Sequence, residues 1–302
     1  MDFNLNSRNQ PVQFPLLNNV ELVIKREDEI HPYISGNKYR KLKYNLLAAK
    51  EQGLDTLLTF GGAYSNHIAA TASAGEKFGF KTIGIVRGEE LINKFKENPT
   101  LSFAEKCGMQ FKFITRNLYR NKEKTDFIDG LKKEFGNFYL IPEGGTNSLA
   151  IKGCEEILTK QDQRFDYICT SVGTGGTIAG IINSAEPHQK IIGFSSLKGD
   201  FLNDEIARWT KKKNWELKTD YHFGGYGKIN NELVTLINKF KEKTGIPLDP
   251  IYTGKMLFGI IDLVQKQQFK KGSKMLAIHT GGLQGIKGIN NILKQKSHLQ
   301  II

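Results

Sequence analysis

The chain has 302 residues, with 43 basic against 31 acidic side chains and a formal charge of +12. At this length a sizeable core forms without disulfides or structural metals, and 39% hydrophobic with 25% charged residues is the composition of a soluble globular protein. No apolar run of about 18 residues is present to span a membrane, the N-terminus lacks the basic-then-apolar order of a signal peptide, and three scattered cysteines (Cys107, Cys154, Cys169) make neither a disulfide framework nor a metal site, so a reducing cytoplasm is the expected compartment.

Short apolar runs alternate with amphipathic ones along the whole chain. The pattern predicts a strand over 20–25, a helix over 38–51, a strand over 56–60 and a helix over 66–78. A strand over 81–86, a helix over 99–107, a strand over 110–114, a helix over 124–135 and a strand over 138–141 follow. Then come a helix over 149–161, a strand over 167–171, a helix over 176–184 and a strand over 191–195. Helices over 199–212, 231–244 and 254–267, a strand over 275–279 and a helix over 282–294 complete the series. Strands separated by helices make βαβ units and a mostly parallel sheet. Such sheets bind ligands in the loops at the carboxyl ends of their strands.

The positive charge is mostly lysine, 35 residues against eight arginines, and it is dispersed among acidic and amide side chains. Bidentate reading of phosphate or guanine favours arginine, and no nucleic-acid motif spacing occurs, so the expectation is a solvated lysine-rich surface and no nucleic-acid partner.

Four loops carry unusual residues. The first is Thr170–Thr177, with Gly173, Thr174, Gly175, Gly176 and Thr177 between a strand and a helix. Glycines and a helix N-terminus offer N–H groups to an anion, and a tight turn is the plainer alternative. It is not a GxxxxGK[ST] loop. A dinucleotide fingerprint fails as well, because its last glycine position holds Ile178 and the next strand ends in Phe194, Ser195 and Ser196. A single phosphate fits better. The second loop, Ser35–Leu42, delivers Lys38 to a helix start, where the macrodipole favours its neutral, nucleophilic amine, with Lys41 one turn on. The third, Phe60–His67, is either an ordinary N-cap or a carboxylate site built from helix N–H groups, the Ser65 hydroxyl and Asn66. The fourth pairs Leu248–Lys255, which contains Tyr252 and Thr253, with His279–Gly282, which contains Thr280. Upstream of it runs the glycine-tyrosine segment Tyr221–Gly227, with Tyr226.

Taken in order, GNKYRKLKY, FGGAYSNH, SVGTGGT, the GGY loop, DPIYTGK and HTGG resemble the 1-aminocyclopropane-1-carboxylate deaminase/D-cysteine desulfhydrase family of pyridoxal-phosphate enzymes, from about residue 20 to 285. The resemblance implies an α/β architecture, the two-domain fold type II, with three-layer, open twisted, mostly parallel sheets. It further implies a large cofactor-binding domain from residues 1–44 plus 151–302, a small inserted domain from 45–150, and a homodimer. Pyridoxal 5'-phosphate is the implied cofactor, with no metal. By position, Lys38 matches the lysine that bonds the cofactor aldehyde. Lys41 and Gly173–Thr177 match the phosphate site. Asn66 matches the group on the phenolic oxygen, and Ser65 the serine beside the substrate carboxylate. Tyr226 and Tyr252 match the active-site tyrosines, and the Asn66 and His67 amides would help hold the carboxylate.

Three positions depart from the deaminase pattern. Where deaminases carry an acid facing the ring nitrogen, this chain has Thr253. Where they carry Leu between the His and the Gly-Gly, it has Thr280. A threonine hydroxyl hydrogen-bonds the nitrogen without holding a proton on it, so the electron sink is weaker. That suits loss of a good β-leaving group, as in the conversion of D-cysteine to pyruvate, sulfide and ammonia. Opening of a cyclopropane ring is the alternative activity. Tyr64 stands where the family commonly has Gln, on the substrate side of the pocket.

Overall fold

The computed structural model describes residues 1–3, 5–15 and 20–302. In chain order, β1 (Asn9–Pro11) and β2 (Glu21–Lys25) precede α1 (Asn37–Glu51). Then come β3 (Thr56–Gly61), α2 (Asn66–Phe78), β4 (Lys81–Arg87), α3 (Pro99–Lys106), β5 (Met109–Ile114), α4 (Arg116–Tyr119), α5 (Thr125–Phe135) and β6 (Tyr139–Ile141). They are followed by α6 (Ser148–Glu155), β7 (Tyr167–Val172), α7 (Gly176–Ser184), β8 (Lys190–Ser195), α8 (Leu202–Ala207) and β9 (Trp215–Lys218). The last are α9 (Asn231–Thr244), α10 (Thr253–Gln265), β10 (Lys274–Ile278) and α11 (Ile286–Gln295).

The strands form two sheets, ordered β1-β2-β10-β7-β8-β9 and β5-β4-β3-β6. Every pairing is parallel except β1 with β2. The four-stranded sheet is made only of residues between Thr56 and Ile141, and the six-stranded sheet joins segments from both sides of that stretch. Each sheet is covered on both faces, which gives three layers. In the larger sheet Leu22, Ile24, Met275 and Ala277 pack toward Phe240 and Leu257. Their alternating neighbours Val23, Leu276 and Ile278 pack toward Phe165 and Ile178. In the smaller sheet Leu57 meets Leu46 and Ala70, and Leu58 meets Leu131 on the other face. Burial on both sides is why these strands read as continuous apolar runs.

All eight predicted strands are present, and two edge strands were missed. The first, β1, has three residues and ends in Pro11, and β9 is a half-buried Trp-Glu-Leu-Lys. Neither has an apolar run to detect. The helix expected over 149–161 stops at Glu155, and a short 3-10 turn over Lys160–Arg164 follows, opened by a Thr159–Asp162 capping box. The helix expected over 199–212 contracts to α8. The four-residue α4 was also missed. It is capped by Thr115 Oγ1, which accepts from the Leu118 N–H at 3.0 Å.

Three helices, α1 on the smaller sheet and α6 and α7 on the larger, pack in series between the two. A Cβ on Gly153 of α6 would lie 2.0 Å from the Arg40 carbonyl oxygen of α1, so only glycine permits this backbone-to-backbone approach. With α7 packed on α6, the N-termini of α1 and α7 converge, and a Cβ on Gly176 would lie 3.2 Å from Lys41 Nζ. Among the described residues no helix is long and apolar enough to cross a membrane.

Candidate active site

A cavity of about 850 Å³ opens between the two sheets at the carboxyl ends of their strands. Its wall includes Lys38, Lys41, Tyr64, Ser65, Asn66, His67, Gly173, Thr174, Gly175, Thr177, Tyr226, Tyr252 and Thr280. Thus residues as far apart in the chain as Asn37 and Gly281 share one space. Two expected site residues stand apart from it. Gly176 opens α7 just behind the wall. Thr253 is fully buried with its hydroxyl donating to Asp249 Oδ1 at 2.7 Å, so it does not face the cavity as the ring-nitrogen assignment required. The hydroxyls that do face the cavity there are Thr280 and Ser171, whose oxygens are 3.1 Å apart.

At one pole lie two lysines. Gly36 precedes them with φ +61, and a Cβ there would lie 2.0 Å from the Thr280 carbonyl oxygen, so glycine is required to start α1 against β10. Lys38 Nζ and Lys41 Nζ both donate to the Gly144 carbonyl, at 3.3 and 3.0 Å. Lys41 also donates to the Thr146 hydroxyl at 2.9 Å and the Thr174 hydroxyl at 3.3 Å. Neither has a carboxylate within 4 Å among the described residues. Burial pushes the Lys41 ammonium down to about 8. Burial, and then the Lys41 charge, hold Lys38 well below the ordinary lysine range. Beside them α7 begins at Gly175 with no side-chain cap, and Asn37 fixes the Thr177 hydroxyl by donating to it at 2.7 Å.

Across the cavity, Ser65 caps α2 and accepts from the Ile68 N–H at 3.3 Å, which leaves its own proton free to donate. Gln284 Nε2 donates to Asn66 Oδ1 at 2.9 Å, so the Asn66 amide nitrogen remains as a donor. His67 is buried on Thr59, 2.8 Å from its hydroxyl, and burial holds it well below the ordinary histidine range. Tyr226 and Tyr252 meet edge to face at 6.2 Å, and burial raises both phenols. Tyr64 packs toward α11, where a Cβ on Gly288 would lie 2.7 Å from its ring.

Over residues 8–281 the chain matches the family model of pyridoxal-phosphate dependent enzymes. The chain belongs to that family. An Arabidopsis thaliana bifunctional D-cysteine desulfhydrase/1-aminocyclopropane-1-carboxylate deaminase, mitochondrial, is 33% identical over 300 residues, covering 90% of this chain and 74% of the plant protein. A D-cysteine desulfhydrase of Serratia proteamaculans is 29% identical, covering 87% of this chain and 86% of the relative. A crystal structure of a homologue of 1-aminocyclopropane-1-carboxylate deaminase superposes with a TM-score of 0.83 at 29% identity, over 97% of this chain and 94% of that one.

The residues present fit pyridoxal phosphate. Two buried amines without a carboxylate, threonine hydroxyls and an uncapped helix start make a complete set of donors for a phosphate dianion. A depressed Lys38 amine is the nucleophile that an aldehyde needs. Several supporting residues escaped the sequence. Asp249 accepts from the N–H groups of Ile251, Tyr252 and Thr253, each at 2.9 Å, and so shapes the turn that presents Tyr252. Lys255, buried in an apolar helix, donates to the carbonyls of His222 and Gly225 at 2.9 Å and pins the loop carrying Tyr226. A buried-side lysine at the head of the mostly apolar stretch Met256–Val264 was the signal for the latter. Ser171 fell in a motif loop whose role for it was not read, and Thr146 and Gln284 gave no signal.

Proposed function

We propose that the chain is a lyase that removes a β-substituent from a small amino acid, with D-cysteine as the substrate and pyruvate, sulfide and ammonia as products. Water completes the balance: one amino acid and one water give one pyruvate, one ammonia and one hydrogen sulfide. Pyridoxal phosphate, when bound, supplies the electron sink that acidifies the α-hydrogen. Lys38 holds the cofactor aldehyde and, as a neutral amine, accepts the α-proton at Nζ. Ser65, with the N–H groups that open α2, holds the substrate carboxylate. The Asn66 amide donates to the phenolic oxygen. Tyr226 and Tyr252, whose phenols keep their protons, donate toward the departing group.

What supports elimination over ring opening is the Ser171–Thr280 hydroxyl pair on the cavity wall, which bonds no carboxylate among the described residues. Neutral hydroxyls give a weaker sink, which is sufficient when the leaving group is good. We further propose the division into domains 1–44 plus 151–302 and 45–150, which the two sheets support. Three free cysteines support a reducing, cytoplasmic setting. A homodimer follows only from the family resemblance.

The test is direct. Purified protein loaded with cofactor absorbs in the visible, and the band shifts with D-cysteine and releases pyruvate. Lys38→Ala abolishes the band. Release of 2-oxobutyrate from 1-aminocyclopropane-1-carboxylate, with none of pyruvate from D-cysteine, would overturn the assignment in favour of the deaminase.

A further inference from the structure

We infer that the end of the cavity lined by the smaller sheet is a subsite for a second anionic group, so that the preferred amino acids carry a negatively charged β-substituent. This rests on the elimination proposed above, and it makes D-cysteine a turned-over but slower substrate than an amino acid whose leaving group is an oxyanion. The chain has only eight arginines, and three of them, Arg87, Arg116 and Arg120, stand on the cavity wall. They come from the end of β4 and the α4 turn just beyond β5.

Tyr119 organises this rim. It is 3% exposed, packs edge-on against Phe60 at 6.2 Å, and carries two cations on its ring, Arg87 at 5.6 Å and Lys122 at 5.4 Å from the centroid. The Thr115 cap sets the α4 turn, and Arg116 and Arg120, four residues apart, leave it on one side. Arg87 reaches inward: a Cβ on Gly62, in the loop that opens α2, would lie 3.6 Å from its Nη2.

Compensation of this charge is partial. Two carboxylates share the wall: Glu90 accepts from Arg116 at 2.9 Å, and Glu143 lies 3.4 Å from Lys122. Among the described residues neither Arg87 nor Arg120 has a carboxylate within 4 Å. In a chain with 35 lysines and eight arginines, guanidinium forks gathered at one wall select oxyanions with two or three oxygens. A thiol leaves those forks without an acceptor. A carboxylate, sulfinate, sulfonate or phosphate ester supplies one. With a sulfonate the α-proton goes to base, the Cβ–S bond breaks with its electron pair on departing sulfite, and one water completes pyruvate and ammonia. No oxidant or reductant is needed.

The test uses the holoenzyme. Keto-acid release is measured with D- and L-cysteine, cysteine sulfinate, cysteate and O-phosphoserine. Aspartate and asparagine, which differ only in charge, are titrated by the shift of the cofactor absorbance. The expected result is kcat/KM at least about tenfold higher for one of the oxyanion substrates than for cysteine, and aspartate bound about tenfold more tightly than asparagine. Arg87→Gln and Arg120→Gln each reduce these ratios severalfold, chiefly through KM, and Arg120→Lys restores part of the loss. Whichever oxyanion is turned over fastest identifies the leaving group. Ratios near one, or ratios that the variants leave unchanged, would overturn the subsite. If no amino acid yields a keto acid, the elimination fails, while the aspartate-to-asparagine ratio still decides the subsite.

Discussion

Lys38 and Lys41, one helical turn apart on α1, converge on a single carbonyl oxygen. Sequence placed them at a helix start, where a dipole argument already favoured a neutral amine. The structure gives larger causes: burial for both, and for Lys38 the Lys41 charge after it. Free Lys41 loses its proton near pH 8, and a bound phosphate dianion favours the ammonium and so raises that value. The affinity of cofactor-free protein for phosphate, counted against the dianion alone, is therefore level up to about pH 8 and falls above it, by at most about tenfold per pH unit. Calorimetric titration across this range measures the slope, and Lys41→Met removes it. A flat profile in the native chain would separate Lys41 from the phosphate. Thr253 shows the opposite limit of sequence reading. Its motif suggested a cofactor contact, yet the neighbouring Asp249 captures its hydroxyl.

At the scale of elements, most boundaries were legible because apolar periodicity and N-caps coincide. Ser65, Asn98 and Asn230 each accept from the first turn of the helix they open. What escaped were the elements held by tertiary partners. Asp162 illustrates this. It accepts from Lys25 Nζ at 2.7 Å, Asn9 Nδ2 at 2.7 Å and the Thr159 N–H at 2.8 Å, and so ties β1, β2 and the turn before β7 together. Lys25 and Asp162 are both nearly inaccessible. Asp162→Ala leaves the Lys25 charge buried and unpaired, and the expected cost is about 3–5 kcal/mol of stability. Denaturant unfolding checks it, and a loss under about 1 kcal/mol would mean the pair is dispensable.

Across the whole molecule, the cavity is walled by both sheets, with Asn66 and Arg87 from one side and Gly173 and Thr280 from the other. A cofactor held there links the two. At a hundredfold excess over its Kd, pyridoxal phosphate should stabilise the fold by about 2.7 kcal/mol and raise the thermal midpoint by a few degrees. Pyridoxal, which lacks the phosphate, should give a smaller rise in a scanning calorimeter, and equal shifts would argue against the cradle at α7. The charge of +12 also resolves by place. Of the 35 lysines only Lys38 and Lys41 line the cavity, and some of the others sit in ion pairs such as Lys81–Asp55 and Lys190–Glu216, while three of the eight arginines stand at the cavity mouth.

The sequence by itself determined the alternation of strands and helices, the parallel sheets and the loops bearing Lys38, Ser65–Asn66, Gly173–Thr177 and Tyr252. Those signals are local, because glycine turns, caps and apolar periods are written in neighbouring residues. Only the tertiary structure decided that Ser171 partners Thr280, that Gln284 orients Asn66, that Lys255 pins the Tyr226 loop and that three arginines share one wall. Each of those depends on residues far apart in the chain being brought within a few ångströms, and no spacing in the sequence encodes that distance.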